Sequence, residues 1–228
     1  MANDPNGVPG DETLPSGRAA GLLIGLASVL SVAFMVFHPT VHAHDTAELI
    51  AGVARKAVVN RVVHGSLIAL VGALVCGFTC LSSRLGANSI SARGGLVAYV
   101  MGAGTLIVAA LVDGFIFPEF IARYEGRPTE ELETLRPALA LVWTVNQVCA
   151  RAGVLAMSVA MILWSANMAR RPGGIRVVGA LGAIVGTLLV GALMTGNLPM
   201  NIHGVLAFEL AYTVWALAVA TLLIRQRI

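Results

Sequence analysis

The run AAGLLIGLASVLSVAFMVF, residues 19–37, contains no charged side chain. Its length is close to the roughly 20 residues with which a helix crosses the apolar core of a bilayer. Similar runs follow at about 62–82, 95–117, 139–166, 176–196 and 203–224. None of them alternates as barrel strands do, and backbone groups inside a bilayer have to be satisfied within their own segment, so each run is predicted to be a helix. The predicted fold class is an all-α integral membrane protein with six transmembrane helices.

The composition excludes the soluble classes of protein. The chain of 228 residues is 57% hydrophobic and 12% charged, whereas soluble domains carry about 25% charged residues. Too little polar surface is left to cover a globule in water. The formal net charge of +3 lies in loops and at the ends of runs, without a basic stripe interleaved with aromatics, so no nucleic-acid partner is expected. The expected partners are the lipid bilayer and either a second copy of the chain or a membrane complex.

The chain is predicted to divide into a tail and one bundle. Residues 1–17 are rich in Pro, Gly, Asp and Asn, which predicts a disordered cytoplasmic tail, and residues 18–228 form the six-helix transmembrane bundle. Eight Arg residues flank the runs on the side of the two termini, against six Arg and Lys residues on the other side. Because cytoplasmic loops carry an excess of Arg and Lys, this count favours a cytoplasmic location of both termini in a bacterial-type inner membrane. The first run is longer than the 7–15 residues of a signal-peptide core, which argues against cleavage.

The connections suggest three helical hairpins. Proline corners close the odd-numbered runs, because proline lacks an N–H group and crowds the preceding turn: FHP at 37–39, IFP at 116–118 and NLP at 197–199. The even-numbered runs open with similar tetrapeptides: VVHG at 62–65, TVNQ at 144–147 and NIHG at 201–204. In the first loop, Asp45 and Glu48 have the spacing of a capping box, which predicts a helix from about Thr46 toward the second run.

The five histidines all fall on the predicted outer face. They are His38, His42, His44, His64 and His203, and Asp113 ends the third run on the same face. Neutral imidazole is the commonest metal ligand and suits zinc, copper and iron, while a carboxylate can ligate or orient an imidazole. These six residues are the predicted ligands of a transition metal, with Asn146, Asn197 and Glu119 as supporting polar groups. Alternatively, His64 and His203 are the axial ligands of a haem b.

Two charged residues lie deeper. Arg151 lies five residues past Asn146 and Glu209 lies six residues past His203, which places each roughly 8 Å deeper than that polar residue, at 1.5 Å per residue. Opposite charges at similar depth are predicted to pair, because an unpaired charge in hydrocarbon is expensive. The pair is interpreted either as an ion pair that fixes helix register or as a proton path.

The leading functional hypothesis is a membrane protein whose polar site at the outer face binds a metal ion or haem, with redox activity as one use of the bound group. The first alternative is a small proton-coupled transporter that uses Arg151 and Glu209. The second alternative is a non-catalytic subunit or assembly factor of a membrane complex. HExxH, CxxC, GxGxxG and P-loop motifs are absent from the sequence, so no motif indicates whether the protein is an enzyme.

Overall fold

The computed structural model describes residues 17–41, 43–86 and 88–228, and the regular structure within these ranges is entirely helical. The helices are α1 (Gly17–Val36), α2 (Thr46–Gly86), α3 (Ile90–Leu111), a π-helical turn (Val112–Ile116), α4 (Phe117–Ala122), α5 (Thr129–Glu133), α6 (Arg136–Met168), α7 (Gly174–Met194) and α8 (Ile202–Ile224). Six segments of the described chain are long and apolar enough to cross a membrane, with Ile90–Ala122 as one of them. This confirms the predicted fold class, whereas the hairpin arrangement and the side of the termini stay predictions. Of the predicted tail, only Gly17 belongs to the described residues, and His42 lies outside them.

The bundle is held together by close helix contacts around an aromatic layer. The most extensive contacts are those of α3 with α6, α1 with α8, and α6 with α7. A Cβ atom at Gly102 would lie 2.9 Å from the carbonyl oxygen of Gly153, so these glycines let α3 and α6 approach closely. In the interior, the ring of Phe78 stacks on Trp164 at 5.1 Å and on Trp215 at 5.7 Å between centroids. We call these three fully buried rings the aromatic layer.

The second helix extends beyond the membrane. Its 41 residues measure about 60 Å, twice the thickness of a bilayer core. The first turns of α2 pack against α4, α5 and the start of α6 around a second apolar core, formed by Ile50, Val53, Ile121, Leu132 and Leu135. We call this part the cap. The predicted helix start at Thr46 is confirmed, and the backbone N–H of Glu48 donates to Oδ1 of Asp45 at 2.7 Å.

The expectation that each proline corner stops its helix is wrong for Pro118. The chain stays helical through α4 to Ala122, and Pro118 lies in the first turn of α4, directly after the π-helical turn. Pro118 has no N–H group to donate to the carbonyl oxygen of Gly114, and its ring would crowd the preceding turn of a regular helix. The extra residue of the π-helical turn relieves this misfit, and it places Asp113 and Gly114 inside the widened turn.

Candidate metal site

Three side chains from separate elements converge at the end of the bundle that bears the cap. His38 follows α1, His64 lies in α2 and Asp113 lies in the π-helical turn. The Nε2 atoms of the two histidines are 3.2 Å apart, and Oδ2 of Asp113 is 3.5 Å from Nε2 of His38 and 3.3 Å from Nε2 of His64. Within residues 17–41, 43–86 and 88–228, this is the one group of three such residues close enough to hold a metal ion.

The ring of His64 is oriented by its own helix. Its Nδ1 atom lies 2.9 Å from the carbonyl oxygen of Asn60, one turn earlier in α2. A carbonyl oxygen can only accept a hydrogen bond, so Nδ1 carries the hydrogen. In the neutral ring, Nε2 then presents its lone pair to His38 and Asp113. His64 is buried, and the hydrogen bond to Asn60 fixes both the tautomer and the direction of the ring.

The position of Asp113 depends on two neighbours that the sequence did not single out. The side-chain amide of Asn60 donates to the carbonyl oxygen of Asp113 at 2.8 Å. Gly114 faces His64 so closely that a Cβ atom would come within 2.6 Å of the Cγ atom of the histidine. Asn60 therefore holds both ligand-bearing elements, and Gly114 leaves the room for the imidazole. One signal was available in the sequence, because Asn60 and His64 are four residues apart and share a helix face.

The three side chains line a cavity of about 630 Å³ that lies between α1, α2, α3, α6 and α8. One face of α1, continued by His38 two residues after the helix ends, contributes side chains at a spacing of three and four residues, as one side of a helix does. These residues are Ser28, Ser31, Met35 and His38. Lys56 and Trp143 also line the cavity and are exposed, which marks its opening.

The structure separates the other predicted histidines from this group. His44 is exposed before α2, where its backbone N–H donates to Oε2 of Glu48 at 3.0 Å. His203 is exposed in the first turn of α8, and neither residue lines the cavity. His42 lies outside the described residues.

The predicted supporting residues have different surroundings. Asn146 lines the cavity and donates to the carbonyl oxygen of Ala109 in α3 at 2.9 Å. Asn197 is exposed and donates to the hydroxyl of Thr195 at 3.0 Å. Glu119 is exposed on α4, where a separate ion pair, Arg61–Glu119, is 3.3 Å long.

Arg151 and Glu209 are not brought together. Arg151 is exposed on α6, on the same helix side as the exposed Val148, whereas Glu209 lines the cavity. The ion pairs among the described residues do not include either of them. Counting residues along the two helices predicted a similar depth for Arg151 and Glu209. The rotation of each helix, which the count does not include, points the two side chains in different directions.

The fold and the site together define a multi-pass helical membrane protein with a His/His/Asp group on the wall of an internal cavity. The chain matches no known protein family, no curated protein and no solved structure.

Proposed function

We propose that this membrane protein binds one divalent transition metal ion, with zinc as the first candidate, through Nε2 of His38, Nε2 of His64 and a carboxylate oxygen of Asp113. The observation that carries the proposal is the spacing of these atoms, 3.2, 3.3 and 3.5 Å. With bond lengths of 2.0–2.1 Å, a tetrahedral ion separates its ligand atoms by about 3.3–3.4 Å. An arrangement with right angles would separate them by about 2.8–3.0 Å, so the observed spacing favours tetrahedral coordination.

The electrostatics of the group also favour a bound cation. His64 presents the lone pair of Nε2, and Asp113 presents its carboxylate, to the same point in space. A neutral His38 has one hydrogen to offer and can satisfy only one of these acceptors. A metal ion accepts electron pairs from all three ligands. The hydrogen bond from Nδ1 of His64 to a backbone carbonyl is also the usual support of a metal-bound histidine.

The metal would have a coordination position available to small molecules. All three ligand residues line the cavity, and three protein ligands with one further position are typical of catalytic rather than structural zinc sites. We therefore propose that the ion binds and polarises a molecule that enters the cavity. The tetrahedral spacing favours zinc, which has no redox chemistry, over a redox-active metal.

The other hypotheses have less support. The predicted axial ligands of a haem are His64 and His203, but His203 is exposed and does not line the cavity. A haem iron between His64 and His38 would need about 4 Å between the two nitrogen atoms, whereas they are 3.2 Å apart. A carrier that uses an ion pair between Arg151 and Glu209 lacks that pair in the described structure. No observation favours a non-catalytic subunit.

Metal titration of the purified full-length protein in detergent tests the proposal. We expect one zinc ion per chain, and we expect cobalt to give the intense visible absorption of tetrahedral coordination. His64→Ala and Asp113→Asn should abolish both signals, whereas His44→Ala and His203→Ala serve as matched controls and should keep them. A folded wild-type protein that binds neither ion, or a His64→Ala variant that binds as tightly as the wild type, would refute the proposal.

A further inference from the structure

The deep end of the cavity contains a carboxylate that none of the preceding chemistry uses. Glu209 lies in α8, about 10 Å from the start of that helix, and its side chain lines the cavity. Among the described residues, it has neither a hydrogen bond nor an ion pair. The only lysine or arginine in the cavity lining is Lys56, and this residue is exposed and donates to the carbonyl oxygen of Thr40. The carboxylate therefore has no cation beside it.

Further polar groups with unused bonding capacity line the same part of the cavity. The hydroxyl oxygens of Ser28 and Ser31 are buried and have no hydrogen-bond partner in the described structure, and the side chain of Tyr212 lines the cavity next to them. Thr213 donates to the carbonyl oxygen of Ser28 at 3.4 Å, which places this turn of α1 beside the turn of α8 that follows Glu209. Buried polar groups are normally paired, so several unpaired groups around one space indicate a polar ligand.

The region below these groups is closed. The ring of Tyr212 lies 5.7 Å from Trp215 and 6.0 Å from Phe78, so the aromatic layer lies directly under the polar end. The rings of the layer are fully buried and fill the bundle on the side away from the cap. The cavity is therefore a chamber with a polar end and not a channel through the bundle.

The walls between the polar end and the metal site are apolar. They consist mainly of Leu67, Val71 and Leu74 from α2, Leu106 from α3, and Val154 and Met157 from α6. The volume of about 630 Å³ falls within the range of about 300–1,000 Å³ of cavities that hold drug-sized organic molecules. A small inorganic ion would leave most of this apolar space unfilled.

We propose that the chamber binds an amphiphilic amine, with the cationic ammonium group against Glu209 and the apolar body along the walls. The three N–H donors of the ammonium group would bind the carboxylate and the hydroxyl oxygens of Ser28 and Ser31. A cation at this point offsets the cost of a carboxylate surrounded by apolar groups, and the aromatic ring of Tyr212 adds a cation–π contribution. A neutral alcohol of the same length lacks the charge, and a fatty acid would be repelled.

This site is separate from the proposed metal site. Ser28 is level with Thr213, so His38 lies about 15 Å beyond this level along α1, whereas Glu209 lies about 6 Å beyond it along α8. The ammonium group would therefore lie about 9 Å deeper than the metal ligands. Because the two sites use different residues, the amine proposal stands or falls independently of the metal.

Binding of dodecylamine and dodecanol to the full-length protein in a neutral detergent, with EDTA present, tests the inference. Intrinsic tryptophan fluorescence and thermal unfolding report binding, because the aromatic layer contacts Tyr212. We expect dodecylamine to bind at least tenfold more tightly than dodecanol. Glu209→Gln should remove this preference, and Glu119→Gln, which changes an exposed carboxylate outside the cavity, should keep it.

A second variant covers the case in which Glu209→Gln fails to fold. Ser31→Val removes a hydroxyl and adds bulk on the opposite wall without altering the carboxylate, so it should weaken dodecylamine binding by at least tenfold. Equal binding of amine and alcohol to the wild type would overturn the inference. So would an amine preference that survives in folded Glu209→Gln, or tighter binding of dodecanoate than of dodecylamine.

Discussion

Replacement of Asn60 by alanine should weaken metal binding, although the side chain of Asn60 is not one of the proposed metal ligands. The substitution removes the amide that donates to the carbonyl oxygen of Asp113 at 2.8 Å. Because Asn60 is buried, the carbonyl would be left without a partner, which costs about 1–3 kcal/mol of stability. The π-helical turn would then relax, and the carboxylate of Asp113 would lose its position beside His64. Loss of comparable support around metal ligands lowers affinity about 10–100-fold.

The structure offers a matched control at Asn146. Its amide makes the same type of hydrogen bond, to the carbonyl oxygen of Ala109 at 2.9 Å, and it also lines the cavity. The carbonyl oxygen of Ala109 also accepts from the backbone N–H of Val112, so Asn146→Ala removes one hydrogen bond without leaving an unpaired acceptor and should lower stability by about 0.5–1.5 kcal/mol, without displacing a metal ligand. Thermal unfolding in detergent measures the stability of both variants. Competition with a chromophoric chelator measures their zinc affinity, which should stay within about twofold of wild type for Asn146→Ala and fall 10–100-fold for Asn60→Ala.

Two results would refute the reasoning about Asn60. If both alanine variants lose the same factor in zinc affinity, the affinity follows the general stability of the bundle and not the position of Asp113. If Asn60→Ala loses stability but binds zinc like the wild type, the hydrogen bond does not set the geometry of the ligand.

Three further outcomes follow from the structure. Gly114→Ala should cost about 1–3 kcal/mol and reduce zinc affinity, because the added Cβ atom overlaps His64; thermal unfolding and zinc titration check this, and unchanged affinity would contradict it. Gly102→Ala should destabilise the bundle by a similar amount through its contact with Gly153, but with zinc affinity retained in the folded fraction, and a stable variant would contradict the close packing. Glu119→Gln should change stability by less than about 1 kcal/mol in thermal unfolding, because its ion pair is exposed, and a larger loss would assign the pair a structural role.

The helices could be predicted because their signals are local. Each run is apolar over the length of a bilayer, and Asp45 lies directly before the helix that begins at Thr46. The error at Pro118 has the opposite cause. A proline predicts a break when only its own turn is considered, but here the misfit is taken up by a π-helical turn that packs against α2. Contacts between distant segments, which the sequence does not display, decide between these two solutions.

The sequence predicted a set of residues that contains the candidate site, but it did not predict which members of the set come together. His38, His64 and Asp113 were among the predicted ligands, since they lie near helix ends on one face of the bundle. The sequence could not separate them from His44 or His203, because the path of the first loop and the rotation of α8 decide whether these side chains point inward or outward. The same limit applied to the deeper pair of charges, whose depth could be counted along each helix but whose direction could not.

The aromatic layer restricts the side from which solutes can enter the chamber. Because the stacked rings of Phe78, Trp164 and Trp215 fill the interior on the side away from the cap, water and solutes reach the ligand atoms from one compartment only. The metal supply, the acidity and the redox state of that compartment alone then determine what the chamber contains. The protein would sample the chemistry of one side of the membrane only.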